Sequence, residues 1–166
     1  VNFVANHDEN SWNGTEYERM GDGVEAFTAL TYAMPGMPLI YTGQEYELKR
    51  RLKFFEKDSI PKIKGKMFEL YEKLGALKNS NKALNGAKNA AKFNRIPTSN
   101  DSMIMAFSRE HKNDKVIYIG NLSKQISEFT MPLEGTFTNY LTNAKVTFKK
   151  GQKHSFKAWE YYVLTP

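Results

Sequence analysis

The chain has 166 residues and 40% hydrophobic content, which suits one ordinary core or two small units and excludes a disordered polymer. It has no cysteine, which excludes disulfides and thiolate chemistry, and its three scattered histidines lack metal-ligand spacing. The net charge of +6 comes from lysines interspersed with Glu and Asn, so we expect solvated faces and no nucleic-acid partner.

The sequence also lacks signals for a membrane. No apolar run approaches the roughly 18 residues needed to cross a bilayer, and residues 1–20 do not read as a signal peptide. Because the chain starts with an apolar, strand-like run at Val1 and not with an initiator Met, we expect an upstream region to be missing. Any targeting signal would lie there, which leaves the localisation unknown.

The first half of the chain predicts two pairs of a strand and a helix. Residues 3–5 form a short apolar strand, and apolar side chains at residues 24–34 follow a helical period that Pro35 ends. Residues 38–41 predict a second buried strand, and residues 67–77 a second long helix. Wholly apolar strands joined by helices are typical of a parallel sheet, and a β/α barrel is the commonest enzyme fold of that kind. Two such units cannot close a barrel.

The second half predicts an antiparallel β domain. A boundary is expected near residues 92–101, which are rich in turn-forming residues. Beyond it, short alternating runs separated by turns predict a sandwich. The expected strands are residues 103–107, 116–119, 129–131, 136–140, 146–148 and 159–164.

A polar cluster at residues 6–10 follows the first predicted strand, where a parallel barrel keeps its active site. An ionised carboxylate such as Asp8 accepts hydrogen bonds from two vicinal sugar hydroxyls and attracts a developing oxocarbenium ion. Trp12 and Tyr17 could stack on sugar faces. The alternative stays open: Asn and Asp commonly cap turns, and nearby aromatic residues often serve packing.

Two segments of the first half of the chain resemble a known enzyme family. Residues 3–8, FVANHD, resemble the fourth signature of the α-amylase superfamily (family 13 type), at the end of the seventh barrel strand. Residues 33–45 are similar to that family's segment into and beyond the eighth strand. Weaker similarity continues at residues 55–60, 77–86, 106–109, 116–123 and 159–164.

The resemblance implies an α/β region followed by an all-β region. Residues 1–92 would be the last two βα units of a (β/α)8 TIM barrel, and residues 102–166 a C-terminal antiparallel β-sandwich. Asp8 would be the transition-state stabiliser, and His7 and Asn6 would bind the sugar. The expected activity is retaining hydrolysis of α-1,4-glucans such as starch and maltodextrin, with an α-glucan and the missing N-terminal part of the barrel as partners.

Two catalytic groups are absent from the chain. Retaining glycosidases need a nucleophilic and an acidic carboxylate about 5 to 5.5 Å apart. The family's nucleophile lies in a Gly-x-Arg-x-Asp segment, and no arginine here is followed two residues later by Asp. Neither Glu9 nor Glu45 is assigned as the acid, since the family's acid lies upstream of the His-Asp signature. We therefore expect the fragment alone to be inactive and to hold no cofactor; calcium would belong to the upstream region.

Two rival interpretations stay open. One is a non-catalytic carbohydrate-binding or structural module, and the other is part of an α-glucan transferase or branching enzyme. For residues 102–166 we favour a structural role, because Trp159, Tyr161 and Val163 alternate as core residues should.

Overall fold

The computed structural model describes residues 1–166. Three helices precede all the strands: α1 (Glu16–Met20), α2 (Val24–Ala33) and α3 (Lys66–Ser80). Eight strands follow: β1 (Lys92–Arg95), β2 (Ile104–His111), β3 (Asp114–Asn121), β4 (Ser127–Phe129), β5 (Gly135–Asn139), β6 (Ala144–Phe148), β7 (His154–Phe156) and β8 (Tyr161–Thr165). None of the helices combines the length and the apolar content that crossing a bilayer requires.

The strands form two antiparallel sheets. Six of them pair in the order β1-β2-β3-β8-β5-β6, and β4 pairs with β7 in a small second sheet. The antiparallel arrangement predicted for the second half is thus confirmed, with the small sheet covering one face of the large one.

Strict alternation gives the large sheet two apolar faces. Phe107, Tyr118 and Val163 lie on one face and share a core with the helices α2 and α3. Their neighbours in the strands, such as Ile119 and Leu164, point to the other face and pack against the small sheet. Because side chains alternate with a period of two, a single register of β2, β3 and β8 fills both cores.

Two of the predicted strands were wrong as secondary structure. Residues 3–5 and 38–41 form no strand, and their pairing is one isolated parallel bridge between Asn2 and Pro38. Two backbone hydrogen bonds of 2.8 Å support the bridge, from Asn2 N to Met37 O and from Leu39 N to Asn2 O. A lone parallel pairing has no flanking strand to extend its ladder, so the apolar runs remain irregular.

Two short strands escaped the sequence analysis. β1 lies inside the segment expected to be a boundary, and its four residues are all exposed. β7 has only three residues. β1 lacks the alternation of buried and exposed side chains from which a half-buried strand is predicted, and β7 is too short for its alternation to establish a period.

Candidate functional site

The predicted site begins where the chain leaves the parallel bridge. His7 and Asp8 open a helical turn that continues as a π-helix, Glu9–Asn13. The Oδ1 atom of Asn6 accepts a hydrogen bond from Glu9 N at 2.8 Å, and its carbonyl accepts one from Asn10 N at 2.9 Å. Asn6 therefore caps the turn, which is the structural role that its residue type favours.

His7 and Asp8 form an open pair on this turn. The His7 Nε2 atom lies 3.4 Å from Asp8 Oδ1, and both side chains are 62% exposed. Asp8 makes no capping hydrogen bond of its own. Its carboxylate is therefore available to accept hydrogen bonds from a ligand.

A group of aromatic rings adjoins the pair through His7, and we call His7, Trp12, Phe54 and Phe55 the aromatic patch. The His7 ring stacks on Phe54 with centroids 5.1 Å apart and planes 19° from parallel. Trp12 lies 5.2 Å from Phe54, and Phe55 lies 4.6 Å from it. Trp12 is 59% exposed and Phe55 is 85% exposed, so the patch offers apolar ring surface beside the Asp8 carboxylate.

Phe54 and Phe55 lie in the candidate site although neither was predicted as a site residue. The sequence did offer a signal, since two adjacent aromatic residues stand in a polar, lysine-rich loop. Packing in a hydrophobic core does not account for aromatic residues in such a loop. Their place beside His7 depends on contacts between distant parts of the chain, which a local pattern does not show.

Polar side chains hold that loop in position. The Asn10 Oδ1 atom accepts from Leu52 N at 2.7 Å, and Ser11 Oγ donates to Leu52 O at 3.1 Å. Arg51 adds a two-pronged contact to the Glu18 carboxylate at 3.1 and 3.2 Å. These contacts fix the chain just before Phe54.

Tyr17 lies in a different environment. The Lys49 ammonium sits over its ring at 5.1 Å, and the ring packs against the core shared by the helices. Its hydroxyl is buried without a hydrogen-bond partner, and burial raises the pKa of Tyr17 well above its usual value. The structure places Trp12 against Phe54, which stacks on His7, and it places Tyr17 in packing contacts.

Glu9 and Glu45, the two carboxylates to which the sequence analysis assigned no catalytic role, lie in different environments. Glu9 pairs with Arg19 at 3.3 Å and accepts from Asn13 Nδ2 at 3.1 Å. One carboxylate oxygen of Glu45 is buried without a partner. No three His, Asp or Glu side chains of the chain come together as metal ligands.

No protein-family model and no curated protein matches the chain. Many solved structures are similar to it, and three of them are described here. A noncanonic maltogenic α-amylase, AmyB, from Thermotoga neapolitana matches 98% of this chain and 40% of its own, with a TM-score of 0.80 and 19% identity. An α-amylase from Lactobacillus plantarum matches 99% and 37%, with a TM-score of 0.72 and 18% identity. A gamma-CGTase from alkalophilic Bacillus clarkii matches 99% and 25%, with a TM-score of 0.69 and 18% identity.

These neighbours are enzymes of the α-amylase family, GH13. At such identities the likeness shows the fold, so the chain has the fold of the C-terminal part of α-amylase-family enzymes. It spans only 25 to 40% of the length of the solved structures that it matches.

Proposed function

We propose that this chain forms one wall of the sugar-binding site of a retaining enzyme that cleaves α-glucans. The observation that carries the proposal is the exposed His7 and Asp8 pair beside the aromatic patch. The likeness in fold to two α-amylases and a gamma-CGTase supports the choice of substrate class. Hydrolysis and glucanosyl transfer share the glycosyl-cleavage step, and the proposal concerns that step.

Asp8 would stabilise the transition state. Its free carboxylate accepts hydrogen bonds from two vicinal hydroxyls of the bound sugar, and its charge attracts the oxocarbenium ion as the bond breaks. That attraction is stronger in the transition state than in the ground state, so it raises kcat rather than affinity alone.

His7 and Trp12 would bind the same sugar region. The His7 imidazole, oriented by its stack on Phe54, offers a hydrogen bond to a hydroxyl next to the one that Asp8 holds. The exposed Trp12 ring offers an apolar face for a neighbouring glucose unit. Asn6 contributes by capping the turn that presents both His7 and Asp8.

The proposal includes an architecture for the longer protein. Residues 1–92 would be the last two βα units of a TIM barrel, and residues 102–166 its C-terminal β domain. The parallel bridge between Asn2 and Pro38 supports this assignment, because helix α2 lies between the two bridged segments as in a βα unit. The missing strands would supply the nucleophile, the general acid and any calcium site.

The test uses the longer protein that contains these residues. Asp8→Asn is expected to lower kcat about a hundred- to a thousandfold with a much smaller change in KM, because an interaction specific to the transition state is lost. Lys153→Met, on the β domain, is the matched control and should leave both constants unchanged. Wild-type turnover by Asp8→Asn would contradict the assignment.

A second measurement addresses what the chain lacks. The purified 166-residue chain is expected to release no reducing sugar from starch, because neither cleaving carboxylate is assigned within it. Turnover by the purified chain that survives the Asp8→Asn substitution would mean that another site performs the chemistry. The residues upstream of Val1 should contain a Gly-x-Arg-x-Asp segment followed by the acidic Glu.

A further inference from the structure

Trp159 has a backbone conformation that tryptophan rarely adopts. It is the third residue of a turn that the hydrogen bond from Glu160 N to Lys157 O closes at 3.2 Å. Its φ of 62° is positive, and that turn position normally holds Gly or Asn. The strain of a bulky residue there is on the order of 1 kcal/mol, and a persistent outlier of this kind points to a function for the side chain.

The turn is held rigidly. The Glu160 carboxylate accepts from Lys157 N at 2.8 Å and from the Tyr162 hydroxyl at 3.1 Å. Trp159 N donates to Ser123 O at 3.2 Å. The indole is therefore oriented before any ligand arrives, which reduces the entropy lost on binding.

The indole lies at the junction between the helices and the sheet. A Cβ added to Gly23 would meet the Trp159 ring at 2.9 Å, so only glycine allows the ring to lie there. Phe27 flanks it with ring centroids 5.9 Å apart. The ring is half-buried and lines a cavity of about 590 Å³, within the roughly 300–1,000 Å³ typical of small-molecule sites.

Two charged residues line the same cavity without partners. Asp22 and Lys124 are exposed and make no side-chain hydrogen bond or ion pair within the chain. Glu18 and Arg19, which also line it, are occupied by Arg51 and by Glu9 respectively. Asp22 and Lys124 are therefore free to pair with a ligand.

We propose that Trp159, Asp22 and Lys124 form a second, non-catalytic site for an α-glucan chain. A pyranose ring has an apolar face that stacks on an indole and a rim of hydroxyls that both donate and accept. Asp22 would accept from two vicinal hydroxyls, and Lys124 would donate to a hydroxyl or ring oxygen. The choice of an α-glucan rests on the proposed function; the site itself rests on the cavity and the strained indole.

The two tryptophans of the chain allow a direct test. In the Trp12→Phe variant, Trp159 is the only indole and its fluorescence reports on the cavity alone. We expect maltoheptaose to change this emission in a saturable way, with cellohexaose much weaker. Adding Asp22→Asn or Lys124→Met should each weaken the apparent affinity about tenfold, since each replaces a charged hydrogen-bonding group with a neutral one.

Two further variants separate loss of binding from loss of fold. Glycine suits the positive φ, so Trp159→Gly should preserve the circular dichroism spectrum. On an amylose affinity gel, the variant should be retarded less than the parent chain, because the second site is lost. Asp22→Asn and Lys124→Met change exposed side chains and should leave the unfolding midpoint unchanged.

The reciprocal variant distinguishes this site from the proposed active-site wall. In the Trp159→Phe variant, Trp12 is the only indole, and its fluorescence reports on ligand binding at the aromatic patch. A response at Trp12 without one at Trp159 overturns the second site and leaves the proposed function intact. A response at Trp159 that ignores Asp22→Asn and Lys124→Met also overturns it. A response at Trp159 alone supports the second site, while the kcat measurement on Asp8→Asn decides the proposed function separately.

Discussion

At the scale of single residues, the buried guanidinium of Arg109 joins the sheet to the helical half. Its Nη1 atom donates to Ala33 O at 3.0 Å and its Nη2 atom to Asn85 O at 2.9 Å. Because burial desolvates the charged form, it lowers the pKa of Arg109. The charge is compensated by carbonyl dipoles rather than by a carboxylate.

Arg109→Met should destabilise the fold by about 1–3 kcal/mol, because the buried carbonyl of Ala33 loses its donor, whereas Asn85 O keeps the hydrogen bond from Ala91 N. Urea unfolding followed by circular dichroism would measure the change. Lys153→Met is the control: its ion pair with Glu128 is well exposed and should contribute little. Equal midpoints for the two variants would contradict the role of Arg109.

Glu16 gives a prediction about pH. This residue is 2% exposed, and burial raises the pKa of its carboxyl above the usual 4.5. The folded state then keeps a proton that the unfolded state has released, so stability falls as the pH rises through the window between the two pKa values. Below that window both states are protonated and the penalty disappears.

Glu16→Gln should therefore be more stable than the parent chain at pH 7 and no more stable at about pH 4. Urea unfolding at both pH values gives the comparison. A gain that is equal at the two pH values would mean that packing, and not ionisation of Glu16, is responsible.

At the scale of elements, the five-residue helix α1 depends on its N-terminal cap. Thr15 Oγ1 accepts from Glu18 N at 3.1 Å, and Glu18 Oε2 accepts from Thr15 N at 2.7 Å. Glu18 also pairs with Arg51, so the cap is connected to the loop that carries Phe54. Thr15→Ala should cost about 1 kcal/mol in unfolding free energy, whereas Thr15→Ser keeps the hydroxyl and most of the stability. Similar midpoints for both variants would show that the capping box is not needed.

The elements also show what a sequence can predict. Helices α2 and α3 and strands β2, β3, β5, β6 and β8 were predicted because their apolar residues repeat with the helical or strand period between clear turn signals. β1 has four exposed residues and joins the sheet only through its pairing with β2. Residues 38–41 have the apolar content of a strand, but a ladder needs neighbours that composition does not supply.

The candidate site was predictable to the same degree. His7 and Asp8 stood out because they follow an apolar run as a polar pair, and the structure leaves both exposed. His7 stacks on Phe54, and the hydrogen bond from Leu52 N to Asn10 Oδ1 joins the two segments that carry these rings. No local periodicity in the sequence encodes these long-range contacts. Tyr17 was grouped with Trp12 by proximity in sequence, and helix α1 turns it toward the core.

At the scale of the whole molecule, the two faces of the large sheet are well covered, whereas the surface around the parallel bridge exposes apolar side chains. The exposed apolar side chains there are Val1 at 80%, Phe3 at 42%, Met37 at 65%, Leu39 at 38% and Ile40 at 44%. A cavity of about 300 Å³ beside them is also lined mostly by apolar residues. Exposed apolar side chains grouped on both bridged segments normally lie against another surface.

The isolated chain is therefore expected to associate with itself through these exposed apolar side chains. Light scattering should show a mass that rises with concentration, and a hydrophobic dye should bind. The double variant Phe3→Ser and Ile40→Ser should lower both signals, since it removes exposed apolar area near the parallel bridge. Ile126→Ser is the matched control, because Ile126 is 70% exposed but lies between β3 and β4 in the β domain. A monomer with little dye binding would show that this surface needs no partner, which would count against the proposal that further barrel strands cover it.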